Sequence, residues 1–327
     1  MTKRAHGTFR WVGLTLVIAT AFATTVATAL SSAPPAGAVP ASSSTNGYVL
    51  LGGDGGIFPF GVPMQGSQGG FASNCAATAA EPNGSCLSLA MTPSGLGYWI
   101  LNPVTGAIYP FGDAGDYSDP FIFWEHVAPD LVAQSKTIVA TPDGKGYWVY
   151  SVLAGEGKAL PFGDAPWYGD TFNDFPWGTG HPHFAGHPVT MAPTPDGKGY
   201  WEVWSDGGVF AYGHAKFYGS TGAIHLTRPI IGITPTADGQ GYWLLASDGG
   251  VFAFGDAVFA GSTGGRTLAA PIVGMVANPA GPGYWLAAAD GGVFAFGGAP
   301  YLGALPQFHV KLNRPIVGIA AKRASIV

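Results

Sequence analysis

One carboxylate stands where every residue in the matching position is aliphatic. Glu202 follows a Gly-Tyr-Trp triplet, and the residues at the same offset elsewhere in the chain are Leu50, Ile100, Val149, Leu244 and Leu286. A glutamate inside an apolar strand needs a partner or a raised pKa, and perturbed carboxylates concentrate where protons are moved. That chemistry would suit the general acid or base of a glycoside hydrolase or a lyase. The competing reading is a structural ion pair or hydrogen bond, to Lys198 or to His214. His214 is itself irregular, standing where Asp113, Asp164 and Asp256 stand in other copies. Glycoside hydrolysis also asks for two carboxylates about 5 to 9.5 Å apart, and the sequence pairs none.

Two long stretches gather a second kind of chemistry. DAGDYSDPFIFWEHVAPDLVAQSK follows Gly112, and DAPWYGDTFNDFPWGTGHPHFAGHP follows Gly163. They hold Phe121, Trp124, Glu125, Asp174 and Trp177 among other aromatics and acids. Rings beside carboxylates suit sugar recognition, since a ring stacks on the apolar face of a pyranose while acidic oxygens accept its hydroxyl hydrogens. The alternative is that these rings bury the stretches against the rest of the protein. Trp167 and Tyr168 fall where regular copies keep their own apolar pair, and so read as scaffold.

His181, His183 and His187 have ligand-like spacing, because residues two apart in an extended segment share a face. A three-histidine zinc site would keep an open fourth position. Proline and glycine leave the geometry undetermined, and the bland reading is a polar loop, so no cofactor is expected. Cys75 and Cys86 lie in a glycine-rich connection without a C-x-x-C motif, and are expected to form one disulfide in an oxidising compartment.

The elements that must position these groups come from a repeat. Gly-Tyr-Trp or Gly-Tyr-Val recurs with tyrosines at 48, 98, 147, 200, 242 and 284, each followed by an aromatic and Phe-Gly or Tyr-Gly. The fifth copy shows four β-rich runs, RPIIGIT, GYWLLAS, VFAFG and AVFAGS, split by turn clusters such as Ser247-Asp248-Gly249-Gly250. A four-stranded meander of this size cannot bury both faces alone, so copies must stack, and radial closure gives a propeller. The first copy lacks a first strand, while residues 314–321 repeat 270–277 with no Gly-Tyr-Trp after them. The expected fold is all-β: a six-bladed β-propeller of four-stranded blades over 47–327, closed by the C-terminal strand completing the first blade.

Lys3, Arg4 and Arg10, an apolar run from Val12 to Leu30 and Ala36-Gly37-Ala38 read as a signal peptide over 1–38. A flexible leader spans 39–46, and no membrane span is expected after cleavage. That segment holds three of the 14 basic residues and none of the 19 acidic ones, so the remainder carries 11 basic against 19 acidic, a net −8. Such a balance argues against nucleic-acid binding. Charged residues make up 10% of the chain, well under the usual share, and 52 glycines fit a turn-dense all-β protein. No G-x-S-x-G, H-E-x-x-H, P-loop or dinucleotide fingerprint is present, and Ser205-Asp206 and Ser247-Asp248 do not match a sialidase box.

At GYWLLASDGGVFAFGDAVFAGS (241–262) the chain resembles a repeat of exported and wall-associated actinobacterial proteins, over about residues 46–321. The likeness is strong in the last three copies and weaker in the first three. It implies an extracellular propeller with no defined reaction. The resulting expectation is a secreted, non-catalytic protein binding an extracellular or cell-wall ligand, with polysaccharide foremost. A polysaccharide-acting hydrolase or lyase and a surface scaffold that docks another protein are the alternatives.

Overall fold

Each Gly-Tyr-Trp or Gly-Tyr-Val triplet opens a strand buried along nearly its whole length. The computed structural model describes residues 46–67, 87–103, 106–117, 135–153, 155–174 and 186–322, all within the compact unit Gly37–Val327. The signal-peptide and leader assignments, Cys75, Cys86, Phe121, Trp124, Glu125, Trp177, His181 and His183 lie outside the described residues, apart from Asn46 at the leader's end.

Among the described residues, eighteen strands form six antiparallel sheets of three. Unit one holds β1 (Tyr48–Gly52) and β2 (Ile57–Phe60). Unit two holds β3 (Ser88–Met91), β4 (Gly97–Leu101) and β5 (Ile108–Gly112). Unit three holds β6 (Ser135–Ala140), β7 (Gly146–Leu153) and β8 (Glu156–Gly163), and is followed by one helical turn, α1 (Thr171–Asp174). Unit four is β9 (Pro188–Pro193), β10 (Gly199–Trp204) and β11 (Val209–Gly213), and unit five is β12 (Ile230–Pro235), β13 (Gly241–Ala246) and β14 (Val251–Gly255). Unit six is β15 (Ile272–Ala277), β16 (Tyr284–Ala288) and β17 (Val293–Phe296), before a short 3-10 turn and β18 (Ile316–Ala321).

β18 pairs with β1, Tyr48 opposite Ala321 and Leu50 opposite Ile319, and thereby supplies the strand that unit one lacks. The first strands then neighbour one another in cyclic order, β3, β6, β9, β12, β15, β18 and back to β3. The core has the same order, with six clusters, each between consecutive units. Alternation along the triplet strand produces this. Tyr48 and Leu50 pack against Trp285 of unit six, while Val49 and Leu51 pack against Tyr98 and Ile100 of unit two. Each tryptophan meets the next unit's tyrosine at 5.3 to 5.8 Å between ring centroids, a separation aromatic pairs favour. The arrangement is propeller-like.

The expected fourth strand is absent: the described residues contain no four-stranded blade and no closed sheet. In unit five Gly255, at φ 68°, swings the chain off the edge of β14. The backbone of 257–262 then bonds to side chains instead of a ladder. Val258 O accepts from the Trp243 indole at 3.0 Å, Ala260 N donates to the Tyr284 hydroxyl at 3.1 Å, and that hydroxyl donates to Gly261 O at 2.5 Å. The AVFAGS run is thus a strap between units five and six. The same indole bond recurs at Gly115, Pro166, Lys216 and Pro300. The tyrosine bond recurs at Gly66, Gly169, Gly219 and, from Tyr48 across the closure, Gly303. Such bonds satisfy backbone groups that a fourth strand would otherwise have paired.

Candidate functional site

The irregular chemistry lies between units three and four. Ala-Gly-Glu-Gly (154–157) replaces Asp-Gly-Gly there, and the hairpin β7–β8 grows to eight residues a side, with Ser151, Val152 and Leu153 opposite Lys158, Gly157 and Glu156. The longer hairpin carries Gly157 beside Glu202. A Cβ at Gly157 would collide with the Tyr150 hydroxyl and lie 2.9 Å from Glu202 Oε2, so glycine is required by space.

After Gly169, at φ 123°, the chain enters α1. Asp170, fully buried, caps that turn: Oδ1 accepts from Asn173 N at 2.9 Å and Nδ2 at 2.6 Å. Its Oδ2 accepts from Trp167 Nε1 at 3.1 Å and Ala159 N at 3.3 Å, and pairs with Lys158 Nζ at 3.3 Å. The Lys158 ammonium also lies 5.0 Å from the Phe172 ring centroid, within cation–π range. Thr171, also fully buried, donates its hydroxyl to Glu202 Oε2 at 2.9 Å and its N–H to the same oxygen at 3.3 Å.

Glu202 is 0% exposed. Burial pushes its carboxyl well above the usual range; the Thr171 hydroxyl opposes this and nearby Asp170 adds to it. Tyr150 donates to Oε2 at 3.4 Å, and its own hydroxyl is pushed well up by burial and then by Glu202. Oε1 has no hydrogen-bond partner among the described residues. The neighbours proposed from sequence are not the partners: Thr171 and Tyr150 hold Glu202. His214 Nδ1 instead lies 3.6 Å from Asp196 Oδ2 on the surface. The cluster fastens α1 to β10, and Glu202, Asp170 and Thr171 have no exposed surface.

Of the other candidates, Asp174 is exposed at the end of α1. His187 is tied to the turn of unit four, its Nδ1 3.1 Å from Ser205 Oγ and its N–H donating to the same oxygen at 3.0 Å. Among the described residues no three His, Cys, Asp or Glu side chains gather to hold a metal, and no helix is long and apolar enough to cross a membrane.

The first strands line two cavities along the axis that share Leu89, Ile233, Met275 and Ile319. The larger, about 1120 Å³, opens among the turns that join first to second strands, with Pro93, Pro142 and Asp238 on its wall. The smaller, about 220 Å³, opens at the opposite ends of those strands and is lined by Ser88, Lys136, Thr137, His187, Thr190 and Ser205. β3, β6 and β9 begin beside this polar mouth. Sequence reasoning missed both cavities, because they are made by six distant strands whose individual residues look like ordinary core.

No protein-family model matches this chain, and no curated protein matches it.

Proposed function

We propose that this chain is a secreted, non-catalytic six-bladed propeller that holds an extracellular or cell-wall polysaccharide at the end of the ring carrying its insertions. The observation that carries this reading is the polar mouth, where Ser88, Lys136 and His187 line one cavity at the starts of β3, β6 and β9, the strands that follow the three long connections in sequence. Hydroxyls, an ammonium and an imidazole around a concavity match the donors and acceptors of a carbohydrate. Trp124 and Trp177 belong by sequence to two of those connections and are assigned as stacking rings, and Phe121, Glu125 and Asp174 are assigned to the same ligand by sequence. The enclosure of Glu202 favours binding over hydrolysis, since an acid with no exposed surface cannot reach a glycosidic oxygen. Export through residues 1–38, and kinship with the wall-associated repeat proteins, belong to the same reading.

The test is a depletion isotherm of residues 39–327 on cellulose, chitin and purified peptidoglycan, repeated with Trp124→Ala/Trp177→Ala. Saturable binding that the double variant loses is expected. Binding to none of the three, or unchanged binding by the double variant, overturns the proposal.

A further inference from the structure

Four consecutive units expose a ring at one equivalent position. In each of them the indole of the triplet tryptophan bonds to a backbone carbonyl on the strap that follows its sheet, at Pro166, Lys216, Val258 and Pro300. The next residue is Trp167, Phe217, Phe259 and Tyr301, exposed by 51, 60, 56 and 51%. Counted back from the tyrosine-bonded glycine of its strap, the same place in unit one is Met64, 49% exposed. In unit two the residue after Gly115 is Asp116.

An isolated exposed ring is ordinary, but the same ring on four adjacent units is not explained by leakage from the core. Nor are these rings on loose loops. In units three to five the following residue donates its N–H to the next unit's tyrosine, Tyr168 to Tyr200, Tyr218 to Tyr242 and Ala260 to Tyr284, at 3.1 to 3.2 Å. In all four units the glycine after that accepts from the same hydroxyl. Each ring is therefore carried on backbone pinned from both sides, and little ordering remains to be done when something stacks on it.

We infer that Trp167, Phe217, Phe259 and Tyr301 form a second, peripheral polysaccharide track, one stacking platform per unit along the outer straps. A platform repeated at the pitch of the fold matches a ligand that repeats, which is a linear polymer. Flat rings, where an aliphatic would cover the strap as well, match the C–H face of a pyranose. Acceptors stand near in sequence: Asp164 precedes Trp167 by three residues and Asp256 precedes Phe259 by three, both exposed. The track rests on the glycan reading above but places the polymer away from the insertion end. Several weak contacts on one polymer act through effective concentration, so long chains bind far better than short ones.

The test compares residues 39–327 with Phe217→Ala/Phe259→Ala/Tyr301→Ala on cellulose, chitin and peptidoglycan. Trp167 is left in place because its indole also bonds to Asp170. The expected result is a loss of roughly 2- to 10-fold for each ring removed, an unchanged melting temperature, and a preference for long chains over a hexasaccharide that vanishes in the triple variant. Phe259→Leu, which keeps the apolarity and removes the ring, should lose as much as Phe259→Ala, and Asp116→Trp should strengthen binding. Binding by the triple variant equal to wild type overturns the track while leaving the insertion-end reading to the Trp124/Trp177 variant. Full binding by Phe259→Leu, or an oligomer that the triple variant dissolves without change in polymer binding, overturns it too. Binding of no polymer by the parent chain overturns both.

Discussion

The junction between units three and four and the junction between units four and five are built on one plan and filled with opposite chemistry. Leu244 of unit five packs against Trp201 and Val203 of unit four, and the second strand of unit four ends in a tight Asp-Gly-Gly hairpin. Glu202 occupies Leu244's position one unit earlier, against Tyr150, with a lengthened hairpin and the turn α1 folded over it. The carboxylate's donors are Thr171, whose counterparts in the regular straps are Thr221 and Thr263, and Tyr150, where unit four has Val203. The lengthened hairpin is thus matched by one buried polar cluster, whereas at the regular junction the Thr221 hydroxyl turns to Asp206 O instead.

The comparison breaks most sharply at Leu244→Glu. It places a carboxyl into the apolar junction where Val203 stands in Tyr150's place and the hydroxyl of Thr221, the counterpart of Thr171, already donates to Asp206 O at 3.3 Å, and should cost about 4 kcal/mol, read as a lowered urea midpoint. Gly157→Ala comes next, because its Cβ must displace the Tyr150 hydroxyl; overpacking of this kind costs about 1 to 3 kcal/mol. A variant as stable as wild type would show that the hairpin yields freely. Glu202→Leu restores the regular residue yet leaves the Thr171 N–H and the Tyr150 hydroxyl without their acceptor, a loss of about 1 to 2 kcal/mol. A gain in stability would mean that the polar cluster is dispensable.

Glu202→Gln has the smallest effect and the most specific signature. Its folded pKa is raised from the usual 4.5 by burial, so the folded state binds the proton more tightly than the unfolded one. The contribution is complete below the unfolded pKa and falls away as pH rises toward the folded value. Wild type should lose up to about 1.4 kcal/mol per pH unit in that window relative to Glu202→Gln. Equal slopes in urea melts at pH 4 to 8 would mean that Glu202 is charged when folded.

The units, their second and third strands and the loan of residues 314–321 to unit one were legible because the triplet repeats and alternation reports two-sided burial. Glu202 was legible as an anomaly, since five aliphatics mark its place. Its partner was not: Thr171 is 31 residues away, and although the repeat places a threonine at 171, 221 and 263, each buried, it does not report that the one at 171 turns its hydroxyl to a carboxylate in the next unit. The fourth strand was misread because Ala257–Ser262 has strand-like composition, while its carbonyls are claimed by indole and phenol groups from two units. The exposed rings were hidden by the same composition: Phe217 and Phe259 look like core residues until the strap lifts them outward.

The pairing of β1 with β18 also sets how the molecule responds to force. Tyr48 lies opposite Ala321 and Gly52 opposite Ile316, so the chain enters β1 and leaves β18 at the same end of the pair. Tension between the two termini would load these backbone bonds one after another, as a zipper, instead of shearing them together. The Tyr48–Gly303 bond and the Tyr48–Trp285 contact stand at that first tooth. A chain tethered by one terminus feels none of this, whereas one stretched between two attachments would open at its clasp while the other sheets stay folded.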